Sequence, residues 1–439
     1  MSGSDDRPTA VRSELEPGHP IDPFRLAGER GFLFHAAGRV LVGLGSALTI
    51  ELPGGLDDTE EQRRATELLR AVPCDDHLEG DLPLAAVVGF GSFPFDRTAP
   101  ARLVVPEVLY GSEPDGREWV TVVRTAGANL PPSAVGQRGD LLERSAPSST
   151  TVPGSARLQV EPRSSETAFV SMVTDAIAAI DRGEVNKVVL ARQVDAHTDE
   201  PIDIVHLLRR WHTLEPDCTI FSMPTPEGQF VGASPELLIE RDGTRFRSQP
   251  LAGTAERSAG LGVSALPAEL LESEKDAVEH RLVVDAIETV LRPLCSELSL
   301  PSRPQLVRLR SIVHLGTPMS GVLTRRPDGT VPTALELVGM LHPTPAVGGV
   351  PTTPALAIID RLESDSRGHY AGPVGYVDAA GNGRWDLGIR AMTVNGRTAR
   401  VAAGVGVVTG SIPEIEFAET AVKLTAVLDA LDDPVLQVH

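Results

Sequence analysis

Near the C-terminus, the stretch PEIEFAETAVK at residues 413–423 sets Glu416 and Glu419 three residues apart, with Lys423 one turn further along. On a helix these side chains share a face. The stretch SEKDAVEH repeats the spacing with Asp276 and Glu279. If two such helices face each other, four carboxylates converge. Their repulsion then favours a hard divalent cation, and magnesium takes a few carboxylate oxygens while keeping water and substrate oxygens in the rest of its shell. Acid pairs on helices are more often simply solvated, so spacing alone leaves both readings open.

Other residues carry weaker signals. Lys187 lies within the apolar run VNKVVLAR, where strand alternation sets it level with buried valines. An inward lysine is costly, so the position is either an exposed edge or functional. Glu236, in GASPELLIE, starts a strand after a proline, with the same two readings. VAAGVGVVTGS brings Gly404 and Gly406 close to the start of the C-terminal helix, where backbone N–H groups can meet an anion. The spacing is not the dinucleotide fingerprint and no phosphate-loop motif occurs, so a structural turn explains the same glycines. His314 in VHLGT and Arg390 in LGIRAM are ordinary when taken alone.

The elements that must position these groups can be read coarsely. Between residues 22 and 125, stretches such as RVLVGLGSALTIEL and EWVTVVRTA, broken by Gly, Pro and Asp, read as strands. Residues 126–165 are rich in Pro, Ser, Gly and Arg and read as a long connector. In ETAFVSMVTDAIAAIDRG, Phe169, Met172, Val173, Ile177 and Ile180 recur at helical spacing and Gly183 follows as a stop. A long helix is expected from about 264 to 292, and a Gly-turned antiparallel meander from 370 to 410. Ser411 and Glu414 suggest a capping box for the last helix, with Pro413 in its first turn. Strands grouped by hairpins rather than alternating with helices indicate the α+β class.

Composition excludes several function classes. The formal charge of −20 and an aromatic share of 4% argue against nucleic acid. No apolar run reaches the length of a membrane span. Cys74, Cys218 and Cys295 are too scattered for a disulfide framework or a zinc site. The polar, acidic opening lacks the features of a secretory signal and reads as a disordered tail over residues 1–20, with a cytoplasmic location expected. An anionic small molecule would need local positive charge or a metal to offset the surrounding field.

The ordered series NKVVLAR, GASPELLIE, QPLAGTAE, SEKDAVEH, IVHLGT, LHPTPAVGG, YAGPVGY, GIRAM and EIEFAETAVKL resembles the chorismate-utilising enzymes, most closely the isochorismate synthases. The resemblance runs from about 166 to 430. It implies a single large domain of two antiparallel sheets flanked by helices, with residues 21–125 as its N-terminal β-rich part, 126–165 as connector and 166–432 as the chorismate-binding catalytic region. It also implies that Glu279 and Glu419 hold magnesium, with Asp276 and Glu416 as outer partners through water. Arg390, Tyr370 and the backbone of Gly404 and Gly406 match positions that bind the enolpyruvyl carboxylate, while Gly253 and Thr254 match a pocket-lining loop. His314 is counted with the substrate-binding set. Lys423 matches a lysine near the metal and ring-carboxylate site.

The reaction implied is magnesium-dependent isomerisation. Lys187 occupies the place of the base that activates water, and Glu236 that of the acid protonating the departing C4 hydroxyl as water attacks C2. Such catalysis needs a lysine ready to lose a proton and a glutamate ready to keep one, and burial favours both. Ala252 stands where aminodeoxychorismate synthases have an attacking lysine. Ala346 aligns with a threonine found in relatives that eject pyruvate, so the lyase step is not expected. Salicylate synthase and an inactive chorismate-binding protein are the alternatives. No glutaminase subunit is expected, and the chain is taken as a monomer.

Overall fold

The computed structural model describes residues 8–78, 80, 82, 84–125, 138–145, 158–256 and 270–431. Its strands form two large sheets, of 13 and 9 strands, and a small sheet of 3. Pairing is antiparallel except where Ala10–Arg12 runs parallel to Cys74–Asp76. The two large sheets and α+β class match expectation, and the small third sheet adds to it. That sheet arises where the chain leaves Arg245–Gln249 of the nine-stranded sheet and continues, after Pro250, as Leu251–Glu256 against Ile312–Gly316.

Both halves of the chain contribute to both large sheets. In the larger one, Phe32–Ala36 pairs with Thr219–Thr225; in the smaller, Val88–Ser92 pairs with Pro373–Asp378. Aromatic residues close the space between them: Phe34 meets Tyr376 edge-on at 5.3 Å between ring centroids, and Phe90 stacks on Phe32 at 5.3 Å. Burial of such large apolar side chains stabilises the layered arrangement. The helix Glu166–Asp181 places Phe169, Val173 and Ile180 in the core at the spacing read from sequence, and Ser165 caps it by accepting from the Ala168 N–H.

Three local expectations change. Residues 9–14, assigned by composition to a disordered tail, form a strand in which Ala10 and Arg12 face inward. Arg12 pairs with Asp76 and donates to the Leu84 carbonyl at 2.7 Å, so a polar strand is anchored by a partner 64 residues away that composition does not reveal. Within the connector, Arg138–Arg144 is helical and Gln159–Pro162 is an edge strand; residues 126–137 and 146–157 lie outside the described residues. Ser411 does not cap the last helix. Ile412 occupies the cap position without a side-chain bond, and the Ser411 hydroxyl instead accepts from the Val408 N–H at 3.2 Å. The long central helix is described from Glu274 to Leu291, capped by Ser273, and residues 264–269 lie outside the described residues.

Candidate active site

The strands Lys187–His197 and Thr398–Val408 pair so that Val189 lies opposite Gly406 and Ala191 opposite Gly404. Over this pair lie the central helix Glu274–Leu291 and the C-terminal helix Pro413–Leu428. A Cβ at Gly406 would stand 2.1 Å from Glu279 Oε1 and 3.0 Å from Lys187 Cε. The bare backbone therefore lets Glu279 reach the lysine. Lys187 is fully buried, and its Nζ lies 3.0 Å from Glu279 Oε1. The contact is ionic rather than a well-aligned hydrogen bond, since Lys187 Nζ has no aligned acceptor.

The other acids are also matched with lysines. Lys423 Nζ sits 2.6 Å from Glu419 Oε1 and donates to the Gly404 carbonyl at 3.0 Å. Lys275 Nζ sits 2.5 Å from Glu416 Oε1, and Glu416 Oε2 is buried with no well-aligned hydrogen bond among the described residues. Burial pushes Glu416 and Asp276 above the ordinary carboxylate range. Burial also acts on Glu419, but the Lys423 charge and hydrogen bond outweigh it, and Glu419 ends below that range. Glu279 and Glu419 line a cleft with about 600 Å³ of atom-free space. Asp276 packs beside Gly253 and Glu416 lies behind the wall. Among the described residues, no three His, Cys, Asp or Glu side chains are close enough to hold a metal. Convergence of the four acids is thus partial, because each of three lysines draws one carboxylate to itself.

On the wall formed by the small sheet, Gly253 has φ +75°, a conformation that favours glycine. Its carbonyl must accept, so the 3.0 Å contact with His314 Nδ1 fixes the proton on Nδ1. His314 Nε2 is then an acceptor, and Arg390 Nη2 donates to it at 3.1 Å. Burial, with the charges of Arg390 and Lys423, holds His314 well below its ordinary pKa, consistent with that neutral tautomer. Thr254 Oγ1 lies 3.2 Å from the same Nδ1. Arg390 adopts φ +52°, uncommon for a residue with a side chain, and its Nε is buried without a partner. Among the described residues it forms no ion pair, leaving a cationic group facing the cleft.

Glu236 is buried at the start of the strand Leu237–Asp242, and its Oε1 accepts from the Leu251 N–H at 3.3 Å. Burial raises its pKa to about 8, against the opposing influence of that hydrogen bond and of Lys187 and Arg390. The group is a carboxylic acid, and a proton donor, at neutral pH. Tyr370, Ala346, Gly404 and Lys423 complete the wall with Gly253, Thr254 and His314. Tyr370 is raised above its ordinary value by burial and contacts the Gly404 backbone.

The structure adds residues that sequence reasoning missed. Val189, Val347, Ile389 and Arg367 also line the cleft. Alternation from Lys187 gives Val189 directly. Arg367 has no such signal: it sits in a loop, and its partners lie 20 and 178 residues away.

The family model described as "Chorismate binding enzyme" matches residues 11–432. A Mycobacterium tuberculosis (strain H37Rv) protein, provisionally named isochorismate synthase MenF, is 36% identical over 429 residues, covering 94% of this chain and 97% of that protein. Isochorismate synthase EntC of Escherichia coli (strain K12) is 36% identical over 341 residues, covering 77% and 80%. The solved structure of MenF, the menaquinone-specific isochorismate synthase from Escherichia coli, matches with a TM-score of 0.76 over 97% of this chain and 95% of that one. At 23% identity that likeness concerns the fold.

Proposed function

Because the chain belongs to the family of chorismate-binding enzymes, we propose that it is an isochorismate synthase, an isomerase interconverting chorismate and isochorismate. The observation that carries this reading is the buried acid Glu236, within electrostatic reach of buried Lys187 and of an Arg390 that has no carboxylate partner among the described residues. The relatives include a menaquinone-specific isochorismate synthase from Escherichia coli and a vibriobactin-specific one from Vibrio cholerae, so the isomerisation by itself does not select a pathway.

In this reading Arg390, Tyr370 and the backbone at Gly404 and Gly406 take the enolpyruvyl carboxylate. Glu236 gives its proton to the C4 hydroxyl as that group leaves. Lys187 takes a proton from the water that adds at C2, and the ring double bonds shift between the two positions. The 3.0 Å contact with Glu279 Oε1 fixes the position of the Lys187 Nζ at the cleft. Water attack without pyruvate loss agrees with Ala346, which offers no hydroxyl to the cleft.

Glu279 and Glu419 would hold magnesium, with Asp276 and Glu416 as outer partners through water. Glu279 and Glu419, the two that line the cleft, offer only oxygen donors, which suits a hard cation. When bound, magnesium would supply the positive charge that holds the ring carboxylate. The test is to incubate the protein with chorismate, with and without magnesium, and separate the products with mass detection. An isomer of unchanged mass, formed only with the metal, supports the reading. Salicylate with pyruvate would replace it by the lyase reading, and unchanged chorismate would overturn it.

A further inference from the structure

The strand Lys187–His197 is paired along one side by Thr398–Val408, but its other side is covered by backbone only in part. Gly349–Val350 pair with Lys187 and Val188, and Gln159–Pro162 pair with residues 194–197. Between them, the Val189 carbonyl accepts from Arg367 Nη2 at 2.8 Å and the Ala191 N–H donates to Glu363 Oε1 at 2.8 Å. Arg367 and Glu363 are themselves a bidentate pair whose side chains are largely covered, with Arg367 Nε 2.8 Å from Glu363 Oε2. Two side chains thus take the hydrogen bonds that a neighbouring strand would make. Arg367 Nη1 also donates to the Val347 carbonyl at 2.7 Å, and the guanidinium lies 4.2 Å from the centre of the Phe95 ring.

We propose that Arg367 is a positioning residue for the isomerisation: it ties the loop carrying Ala346 and Val347 to the strand carrying Lys187 and so sets the width of the cleft between them. The inference rests on the isochorismate synthase reading. Glu363 neutralises Arg367, so the guanidinium acts as a tie between backbones and not as the binder of a substrate carboxylate. A planar fork with fixed donors makes these four contacts together, and an ammonium in the same place cannot. A cleft wall free to move would let the bound product bend. Isochorismate could then transfer its C2 hydrogen to the enolpyruvyl methylene as the C3–O bond breaks, giving salicylate and pyruvate with atoms conserved.

The experiment compares the wild-type chain with Arg367→Lys in magnesium and chorismate, measuring kcat, KM and the share of product released as pyruvate. The expected result for R367K is kcat lowered ten- to a hundredfold, KM within about threefold, and a pyruvate share several times that of wild type. Circular dichroism and the melting temperature check folding, and Glu363→Asp, which keeps both charges while shortening one arm, reads the same quantities should R367K not fold. Wild-type kcat and product share in the folded variant overturn the proposal. A fall in kcat that only tracks the loss of folded protein, with the product share unchanged, also overturns it. A wild-type chain that does not isomerise chorismate overturns the underlying reading, and the positioning role with it.

Discussion

Glu236→Gln separates the proposed catalytic role of Glu236 from its thermodynamic one. The native carboxyl, raised by burial to about 8, compares with an ordinary value of 4.5. Between those values the native state holds a proton that the unfolded chain has lost, so stability falls as pH rises through this window. For this group alone, the linkage cost is about 1 kcal/mol at pH 5, about 3 at pH 7 and about 5 at pH 9. Glutamine never ionises and escapes it. E236Q should therefore gain stability over wild type as pH rises, the gap widening by about 4 kcal/mol between pH 5 and 9. The same change removes the proton donor, and turnover should fall about 100- to 10,000-fold. In the wild type, kcat/KM should decline above an apparent pKa near 8 as the acid ionises. Thermal melting of both proteins from pH 5 to 9, with initial rates over the same range, provides the test. A stability gap that stays flat with pH, or an E236Q rate within tenfold of wild type, refutes the reasoning.

Gly406→Ala puts a Cβ 2.1 Å from Glu279 Oε1, which must swing away. The chain should fold, and isomerisation should fall at least about tenfold because both the lysine pair and the proposed metal site are disturbed; an unchanged rate argues against that crowding. Glu279→Gln leaves the fully buried Lys187 without its counter-charge, and in chelator the variant should be less stable by about 3 kcal/mol or more. Equal denaturation midpoints would show that the pair is immaterial. Ala346→Thr sets a hydroxyl on the cleft wall, and pyruvate release should appear beside isochorismate in a coupled dehydrogenase assay; its absence would mean that this position alone does not direct elimination.

Residues held by short-range rules were legible in the sequence. The helical spacing of Phe169, Val173 and Ile180 and the three-residue spacing of both acid pairs follow from the helix period alone, and each has its place in the structure. Interactions that depend on where distant segments meet were not legible. Arg12 falls in the stretch that composition assigns to a disordered tail until Asp76 is brought beside it, and nothing in the sequence marks Arg367 and Glu363 as partners of the strand edge at Val189 and Ala191. Ser411 illustrates the opposite failure: the local motif is present, but the Val408 N–H takes the hydroxyl first. The lysines matter most. Sequence reasoning paired the acids with a metal and left Lys275 without a role, whereas Lys187, Lys275 and Lys423 each engage one acid.

That pairing bears on how a chain with a formal charge of −20 can hold a dianion. Around the cleft, three lysines and Arg390 stand against Asp276, Glu279, Glu416 and Glu419, while Glu236 is protonated and Arg367 is cancelled by Glu363. Among the described residues the site is therefore close to neutral, with an unmatched cation at Arg390. Neutral His314 preserves that cation, because a protonated imidazole could neither accept from Arg390 nor sit beside it without repulsion. In the proposed binding mode Arg390 would offset one carboxylate of chorismate. The second needs two further positive charges to return the loaded site to neutrality, and the proposed divalent ion on Glu279 and Glu419 would supply that number. Such an ion would also release Lys187 and Lys423 from the carboxylates that engage them, so the electrostatic requirement for binding and the freeing of the proposed base would be met by the same event.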